Sequence, residues 1–433
     1  MTTLESGINH SANGTPPPHV PLSDIDLGSL EFWGWDDDRR DGAFATLRRE
    51  APVAFFEAAT VPGFESGPGH WALTSFDHVH HASRHPEVFS SVPTSVSLSE
   101  IDPAVAEFSG SMINLDDPRH LRLRSIVNRA FTPKMVARID ESVRHRAQQL
   151  VSDMVAAHPD GTADFVASLS GPFPLQIICD MMGIPEADQQ KIFHWTSIAL
   201  GVGDKEVASD HDVVIQAVLD IAAYGMELAE ARRCEPADDL TSNLVHAEVD
   251  GERLSSAEIA SFFMLLSAAG NETTRNAISH GMVALSRYPE ARQTWWADFD
   301  AVAPSAVEEI VRWATPVIFM RRNLTQDVEL GGVTMKSGDK VSMWYNSANR
   351  DEAKFDNPWS FDVMRNPNPH LGYGGGGAHF CLGANLARRE IRVMFEELHA
   401  RVPDIVAVEE PAILHSAFIH GIKRLPVAWT PPG

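Results

Sequence analysis

The sequence predicts a mainly α-helical fold with small β-sheets, and three observations point to it. Long stretches after Asp116 repeat apolar residues at helical spacing, and one of them is long enough to cross a whole domain. Short extended segments separated by Gly and Pro occur in limited regions. The 433-residue chain is 44% hydrophobic, so we expect a large buried core and exclude disorder for most of its length.

Three amphipathic segments account for much of the helical prediction. The first covers residues 117–131 and is stopped by Pro133, and the second covers residues 134–157. The third runs from about residue 382 to residue 401, directly after the last cysteine. Each segment repeats apolar side chains every three or four residues, which predicts one buried face.

The longest predicted helix lies in the middle of the chain. Ser255 and Glu258 form a capping box, and the helical pattern continues to Arg287, just before Pro289. At the rise of an α-helix, this segment is roughly 45–50 Å long. We therefore expect a central helix that crosses the domain.

After this helix the sequence changes period. Residues 306–314 predict a further helix bounded by Pro304 and Pro316. The pair Gly331-Gly332 stands between two short extended segments and predicts a two-residue hairpin turn. The tail from Ile413 is also short and extended, which completes the prediction of small sheets.

Composition bounds the domain organisation and the partners. Residues 1–25 are polar and proline-rich and predict a flexible amino-terminal arm, followed by a single domain over residues 26–433. A net charge of −24 argues against binding to nucleic acid or anionic lipid. No signal-peptide pattern is visible, and the most apolar run is far shorter than the ~20 residues of a membrane span. We expect a cytoplasmic protein.

The three cysteines, Cys179, Cys234 and Cys381, are far apart in the sequence. An odd number without a pairing pattern fits a reducing compartment better than a disulfide framework. The sequence has no Cys-x-x-Cys pair, so a structural zinc site is not expected.

A glycine-rich run precedes Cys381. Residues 372–377 match Gly-x-Gly-x-x-Gly, but a dinucleotide-binding loop needs a strand directly before it, and residues 366–371 contain two prolines. The run leads instead into Cys381 and the start of a helix, where backbone N–H groups stabilise a thiolate. A small buried cysteine, or a nucleophile paired with His379, remain alternatives at this point.

Four signatures in this order carry a family resemblance. They are residues 120–124 (His-Leu-Arg-Leu-Arg), residues 269–273 (Ala-Gly-Asn-Glu-Thr), the pair Glu309 and Arg312, and residues 377–383 (Gly-Ala-His-Phe-Cys-Leu-Gly). Together they resemble the cytochrome P450 superfamily. The resemblance implies a triangular prism whose long central helix lies over a haem, and a haem-thiolate monooxygenase activity.

The resemblance is strongest to a mycobacterial group of that family and extends along the chain. It includes residues 13–18, 32–33, 175–183 and 420–423. It implies hydroxylation of the terminal methyl of a methyl-branched lipid, such as an isoprenoid or a branched fatty acid. Terminal hydroxylation of a sterol side chain is an alternative, and a haem-binding module without turnover is a further one.

The resemblance also assigns roles to residues. Cys381 is the expected axial ligand of haem b, whose thiolate favours O–O cleavage. The expected partners of the haem propionates are His120, Arg124, Arg322 and His379. The expected oxygen-handling residues are Gly270, Glu272 and Thr273, with Gly270 leaving room for oxygen and the other two supplying protons through water. Glu309 and Arg312 are expected to brace the loop beneath the haem.

Two positions depart from the family pattern. The phenylalanine usual seven residues before the cysteine is Gly374 here, preceded by Tyr373. Ser360 occupies the position of the brace's third member, and Arg365 is a candidate to replace it.

The family also implies partners and a substrate pocket. Electrons are expected from a ferredoxin and its NAD(P)H-dependent reductase, because the sequence shows no flavin or iron–sulfur motif. A basic patch suits an acidic ferredoxin, with a solvated helix face as the alternative; its members are Arg122, Arg129, Arg388, Arg389 and Arg392. The expected lipid contacts are apolar: Phe108, Met112, Ile113, Leu200, Leu266, Ala269, Val317, Ile318 and Phe418.

Overall fold

The structure is a computed structural model that describes most of the chain. The described residues are 6–8, 12–58, 67–101, 105–106, 108, 111–200, 204, 206, 211–249 and 251–431. Among them the prediction of a mainly helical fold with small sheets is confirmed. The helices are α1 (Leu30–Trp33), α2 (Asp37–Glu50), α3 (Phe76–Arg84), α4 (Arg119–Ala130), α5 (Pro133–Ala157), α6 (Pro172–Met182), α7 (Glu186–Leu200), α8 (His211–Cys234), α9 (Leu240–His246), α10 (Ser256–Arg287), α11 (Pro289–Ala297), α12 (Phe299–Ala314), α13 (Tyr345–Ala348) and α14 (Ala384–Arg401).

The central helix α10 is confirmed with its predicted start. Ser255 accepts a hydrogen bond from the backbone N–H of Glu258, and the Glu258 carboxylate accepts one from the N–H of Ser255. The helix then runs for 32 residues and packs against α6, α8 and α12. Most of its side chains are buried, so the accessible ones identify a hollow, as described below.

The predicted amino-terminal limit of α12 at Pro304 is wrong. The helix begins at Phe299, because Asp298 accepts a hydrogen bond from the backbone N–H of Ala301 and caps the first turn. Pro304 lies inside the helix as its sixth residue, where it removes one backbone hydrogen bond and crowds the carbonyl of Asp300. Short additional turns are Leu22–Asp24, Ser111–Asn114 and the π-helical Val166–Ser170.

The strands are β1 (Val53–Phe56), β2 (His70–Leu73), β3 (Phe89–Ser90), β4 (Thr162–Asp164), β5 (Glu248–Val249), β6 (Glu252–Arg253), β7 (Phe319–Leu324), β8 (Val328–Leu330), β9 (Val333–Met335), β10 (Lys340–Trp344), β11 (Val406–Ala407), β12 (Ala412–Ile413), β13 (Ile422–Arg424) and β14 (Pro426–Ala428). The largest sheet has five strands in the order β1-β2-β10-β7-β3. Strand β10 is parallel to β2 and antiparallel to β7, and it pairs Lys340 with His70 and Val341 with Arg322. The predicted hairpin at Gly331-Gly332 is confirmed, with both glycines at positive φ.

The described part of the amino-terminal arm packs against the rest of the chain. The backbone N–H of Gly7 donates to the carbonyl of Ala407, and the side chain of Asn13 makes two hydrogen bonds with the backbone of Phe361. Val20 and Ile25 belong to a buried apolar cluster. These contacts join residues 6–8 and 12–25 to the rest of the chain, while the flexible arm over residues 1–25 and the domain boundary at residue 25 stay predictions.

Candidate active site

The loop before Cys381 is a series of tight turns. Gly374, Gly376 and Gly377 have φ of 95°, 84° and 78°, where a side chain is strained. The N–H of Cys381 donates to the carbonyl of Tyr373 at 3.0 Å, which closes the loop just before α14 begins. Residues 345–405 contain no strand, so a dinucleotide-binding arrangement is excluded.

The thiol of Cys381 is accessible, although protein surrounds it. Burial raises the pKa of the thiol, while the backbone N–H of Gly383 and the guanidinium groups of Arg124 and Arg388 act in the opposite direction. Accessibility and desolvation are compatible when a group lines an internal hollow. The imidazole of His379 contacts Ser91 at 3.1 Å, a hydroxyl on another segment, rather than pairing with the thiol.

The four basic residues predicted to bind the haem propionates come together beside this loop. The rings of His120 and His379 lie 4.3 Å apart, and Arg124 donates to the carbonyl of Phe380 at 2.6 Å. Arg322 is buried on β7, and its charge acts on His379. Sequence and structure therefore agree on a basic cluster next to Cys381.

This cluster has the chemistry of an anion site. Burial and the nearby charges of Arg322, His120 and Arg124 lower the pKa of His379 to about 3. Within the described residues, the buried Nε2 of His120 has no hydrogen-bond partner, and the guanidinium of Arg322 has no carboxylate in an ion pair. Buried cations without counter-charges are costly, so the cluster fits the carboxylates of a haem.

The brace beneath the loop is complete, and Arg365 is its third member. Arg312 forms a two-bond ion pair with Glu309, at 2.8 and 2.7 Å, and both side chains are fully buried. Arg365 adds contacts to the same carboxylate at 3.1 and 3.3 Å. The carbonyl of Ser360 accepts from both arginines. The backbone at Ser360 thus contributes where its side chain does not.

The middle of α10 opens onto a hollow. Ala269 is exposed and Thr273 is half-buried, as are Leu265, Leu266, Ala268 and Gly270 in the same part of this helix. The Thr273 hydroxyl donates to the carbonyl of Ala269 at 2.7 Å, the i to i−4 pattern that bends helices. These two residues therefore present a polar hydroxyl and a small side chain to open space.

Glu272 and Gly270 face elsewhere. The buried carboxylate of Glu272 pairs with Arg275 on the same helix at 2.8 Å, and Arg275 also reaches the carbonyl of Ile422 at 3.4 Å. A Cβ on Gly270 would lie 2.6 Å from Cδ1 of Ile178. Close packing of α10 on α6 is therefore the structural reason for this glycine, and the proposed space for oxygen is not where its missing side chain would point.

The predicted lipid contacts divide into two groups. Phe108, Met112 and Leu266 pack around the main core cluster, and the carbonyl of Phe108 accepts from Ser261 of α10 at 2.6 Å. Val317 and Phe418 pack instead against two separate apolar clusters at the five-stranded sheet, and the carbonyl of Phe418 accepts from the N–H of Ile318. Ile318 itself is 2% exposed within an apolar cluster, which leaves it almost no surface for a ligand. Ile113 and Leu200 are half-buried.

The departure at Gly374 leaves Tyr373 and Phe380 beside the thiol. The guanidinium carbon of Arg388 lies 4.3 Å from the centre of the Tyr373 ring, and the Tyr373 and Phe380 rings are 6.5 Å apart. Burial raises the pKa of the Tyr373 hydroxyl above its usual range. Aromatic rings therefore stand near the loop without the usual phenylalanine.

The basic patch is largely paired within the chain. Arg122 binds Glu252 and Glu258, Arg388 binds Glu308, Arg389 binds Asp140 and Arg392 binds Asp300. Arg129 donates to the backbone carbonyl of Glu248. A surface of alternating charges replaces the strongly cationic patch expected from sequence.

Two contributing residues were missed by the sequence reasoning. Asp117 accepts from Nδ1 of His120 at 3.1 Å and so orients that ring, and Arg275 holds Glu272. Both pairs are three residues apart on or at the start of a helix, a spacing at which side chains meet. That spacing is the signal that would have found them.

Comparison with known proteins gives the class. A family model described as Cytochrome P450 matches residues 214–399. The methyl-branched lipid omega-hydroxylase of Mycobacterium tuberculosis is 66% identical over 427 residues, covering 99% of this chain and 100% of that protein. The chain belongs to the cytochrome P450 family and is a monooxygenase of that family, which excludes the dinucleotide, nucleophile and non-catalytic alternatives.

The chain is also similar to more distant members of the family. A steroid C26-monooxygenase of Mycobacterium tuberculosis is 40% identical over 396 residues, covering 89% of each chain. The structure of a Mycobacterium marinum cytochrome P450 in complex with pseudoionone has a TM-score of 0.87 and 40% identity, covering 95% of this chain and 99% of that one. Among the described residues, no helix is both long and apolar enough to cross a membrane.

Proposed function

We propose that this protein hydroxylates the terminal methyl group of methyl-branched lipids. The observation that carries the proposal is that Ala269 and Thr273 on the central helix and the thiol of Cys381 are all accessible, and we place them on opposite walls of one hollow. The 66% identity to a methyl-branched lipid omega-hydroxylase supports this substrate class.

Haem b fits the residues on one side of this hollow. Cys381 would ligate the iron through its thiolate, and His120, Arg124, Arg322 and His379 would bind the propionates. When bound, haem supplies the iron at which dioxygen is split, one oxygen atom entering a C–H bond of the lipid and the other leaving as water. The brace of Glu309, Arg312 and Arg365 keeps the loop rigid, because two cations share one buried carboxylate.

Thr273 and Glu272 handle protons in this proposal. The Thr273 hydroxyl faces the hollow and already donates to the Ala269 carbonyl, so a small rotation lets it donate to an oxygen in the hollow. Glu272 is held by Arg275 and passes protons through water rather than by direct contact. Gly270 serves by packing against Ile178.

Apolar side chains guide the lipid to its terminal carbon. Phe108, Leu266 and Ala269 line one side of the approach and Val317 and Phe418 the other, with Met112, Ile113 and Leu200 as further contacts. A terminal methyl group has stronger C–H bonds than the methylene groups behind it. Selectivity must therefore come from a narrow approach that presents the chain end first.

The electrons come from a ferredoxin, which receives them from an NAD(P)H-dependent reductase. We place the protein in the cytoplasm. The surface around α4 and α14 carries arginines that are already paired with carboxylates. Docking there exchanges internal pairs for pairs with the partner, so we expect binding to weaken only moderately with salt.

The ligand assignment is tested by carbon monoxide. The reduced protein with carbon monoxide should give the red-shifted absorption of a thiolate-ligated haem, and Cys381→His should lose that shift while retaining haem. A Cys381→His protein with an unchanged spectrum contradicts the assignment.

The substrate class is tested by titration and product analysis. Branched lipids, straight-chain lipids of equal length and a sterol are compared by the spin-state change of the haem and by the position of the new hydroxyl. We expect the branched chains to bind most tightly and to be hydroxylated at the terminal methyl. Tightest binding and fastest turnover of the sterol would favour the second candidate, which the 40% identity to a steroid C26-monooxygenase supports.

A further inference from the structure

One face of the five-stranded sheet carries three buried basic side chains that the proposed mechanism does not use. His70, Lys340 and Arg321 lie on β2, β10 and β7, which are neighbours in the sheet. The register pairs Lys340 with His70, and the alternation of strand side chains puts Arg321 on the face opposite Arg322. All three are at most 3% exposed.

Among the described residues, a single carboxylate pairs with both Lys340 and Arg321. Glu100 contacts Lys340 at 2.5 Å and Arg321 at 3.8 Å, and the remaining described partners of these cations are the carbonyls of residues 97, 98 and 99 and the side chain of Asn323. The two cations therefore share one partly exposed carboxylate, so an incoming carboxylate can take its place without changing the charge of the buried site.

His70 adds an unused hydrogen-bonding group. Burial, together with Lys340 and Arg321, lowers the pKa of His70 to about 3, so the imidazole is neutral at neutral pH. Its Nε2 is buried and has no hydrogen-bond partner among the described residues. A buried polar atom without a partner is rare in folded proteins and indicates a missing group.

Glu100 reaches this cluster from a segment that also contacts the proposed lipid pocket. The N–H of Arg321 donates to the carbonyl of Ser95, and the Ser95 hydroxyl donates to the carbonyl of Ile113 at 2.8 Å. Leu98 packs on the same apolar cluster as Phe418. Arg321 is thus the neighbour of Arg322 on β7, with its side chain on the opposite face of the sheet, and the cluster is joined to a turn that carries expected lipid contacts.

We infer that His70, Arg321 and Lys340 form a carboxylate-binding site for the acid end of the lipid, which displaces the Glu100 side chain. The inference rests on the proposed function and names its substrate class as methyl-branched fatty acids. Glu100 has a side chain that is 36% exposed, so its carboxylate can turn to water when the ligand's carboxylate takes its place. Two cations and a neutral imidazole then bind one anion in a desolvated site.

The test uses the haem-loaded enzyme with isopalmitic acid and its methyl ester, which has one more methyl group and no charge at the acid end. Binding is measured by the spin-state change for the wild type, Lys340→Met and Glu100→Gln. Lys340→Met should weaken binding of the acid about tenfold and leave the ester within about twofold. Glu100→Gln should tighten binding of the acid about threefold, because the competing carboxylate is gone.

The control is Lys336→Met, the same replacement at an exposed lysine that pairs with Asp327. This variant should bind the acid and the ester as tightly as the wild type does. Three results would overturn the site. In Lys340→Met, these are an unchanged preference for the acid over the ester or an equal loss of binding for both ligands. In Glu100→Gln, it is weaker binding of the acid. Because Glu100 is partly exposed, its variant keeps the test valid if Lys340→Met fails to fold.

The outcome is separable from the proposed function. Terminal hydroxylation of the ester by the wild type tests the function alone, since the ester cannot use the basic site. Terminal products with no effect of the variants overturn only the carboxylate site. Absence of terminal products overturns the proposed function, whatever the binding preference shows.

Discussion

The two sides of the hollow at Cys381 are built differently. On the side of the cysteine loop, Glu309, Arg312 and Arg365 form a buried network in which every arginine reaches both a carboxylate and backbone carbonyls. On the side of the central helix, Ala269 and Thr273 leave surface open and the described polar contact is a single hydroxyl bond. The cysteine loop is therefore held by buried ion pairs, whereas this part of the central helix keeps accessible surface.

The largest expected effect comes from breaking the brace. Glu309→Gln keeps the shape of the side chain but leaves two buried guanidinium groups without their counter-charge. We expect a loss of about 3–5 kcal/mol in the free energy of unfolding, together with low haem content. Urea unfolding and the haem-to-protein ratio measure both.

Glu308→Gln is the matched control for the brace. Glu308 is the preceding residue, but it lies nearer the surface and pairs with Arg388 and His370. It should destabilise clearly less than Glu309→Gln, since solvent screens its partners. Equal losses from the two variants contradict a special role of the buried brace.

The second expected effect tests the packing assigned to Gly270. The new methyl group of Gly270→Ala would lie 2.6 Å from Ile178, so we expect a loss of about 1–3 kcal/mol in the free energy of unfolding. Adding Ile178→Val removes the methyl carbon that is in the way and should restore most of the loss. A stable Gly270→Ala protein with altered oxygen consumption would instead support a role in oxygen access.

The third expected effect concerns Thr273, on the accessible part of the central helix. Thr273→Ala should lower the amount of hydroxylated product per NAD(P)H consumed about tenfold, because the hydroxyl that faces the hollow is gone. The spin-state change on lipid binding should stay the same. Ser279→Ala is the control, since Ser279 makes the same type of bond, to the carbonyl of Arg275, at a buried place on the same helix. Equal effects of both would attribute the loss to helix distortion.

The smallest effect is a pH dependence of stability. The pKa of His70 is about 3 in the fold, below that of an unfolded histidine near 6.5, so the unfolded chain takes up a proton first as the pH falls. Stability contributed by this neutral histidine is complete above pH 6.5 and is lost as the pH falls toward 3. His70→Gln should therefore lose about 1 kcal/mol less than the wild type between pH 6.5 and 5.5. Urea unfolding at the two pH values checks it, and parallel losses contradict it.

Local signals predicted the elements well. The capping box at Ser255, the glycine pair at 331–332 and the apolar repeats fixed the central helix, the hairpin and the helices on either side. Pro304 led to a wrong helix start, because the helix is capped by Asp298 and continues through this proline. The arm packs because of distant partners such as Phe361, which no local pattern reveals.

Family resemblance found the basic cluster around Cys381, but not how the charges are balanced. The replacement of the third brace member by Arg365 depends on a loop geometry that brings two arginines to one carbonyl, that of Ser360. The pairing of the surface arginines depends on carboxylates from distant segments, such as Asp140 and Asp300. Long-range pairs of this kind are set by the fold as a whole.

The ion pair between Glu272 and Arg275 has a consequence for the timing of the reaction cycle. Both residues belong to one rigid helix, three positions apart, so opening or closing of the loops around the pocket does not separate them. In the proposed function, the group that relays protons is therefore in place before any lipid arrives. In such an enzyme, substrate binding does not control proton supply. The fraction of the reducing equivalents that ends in hydroxylated product then depends on how well the bound lipid keeps water away from Thr273.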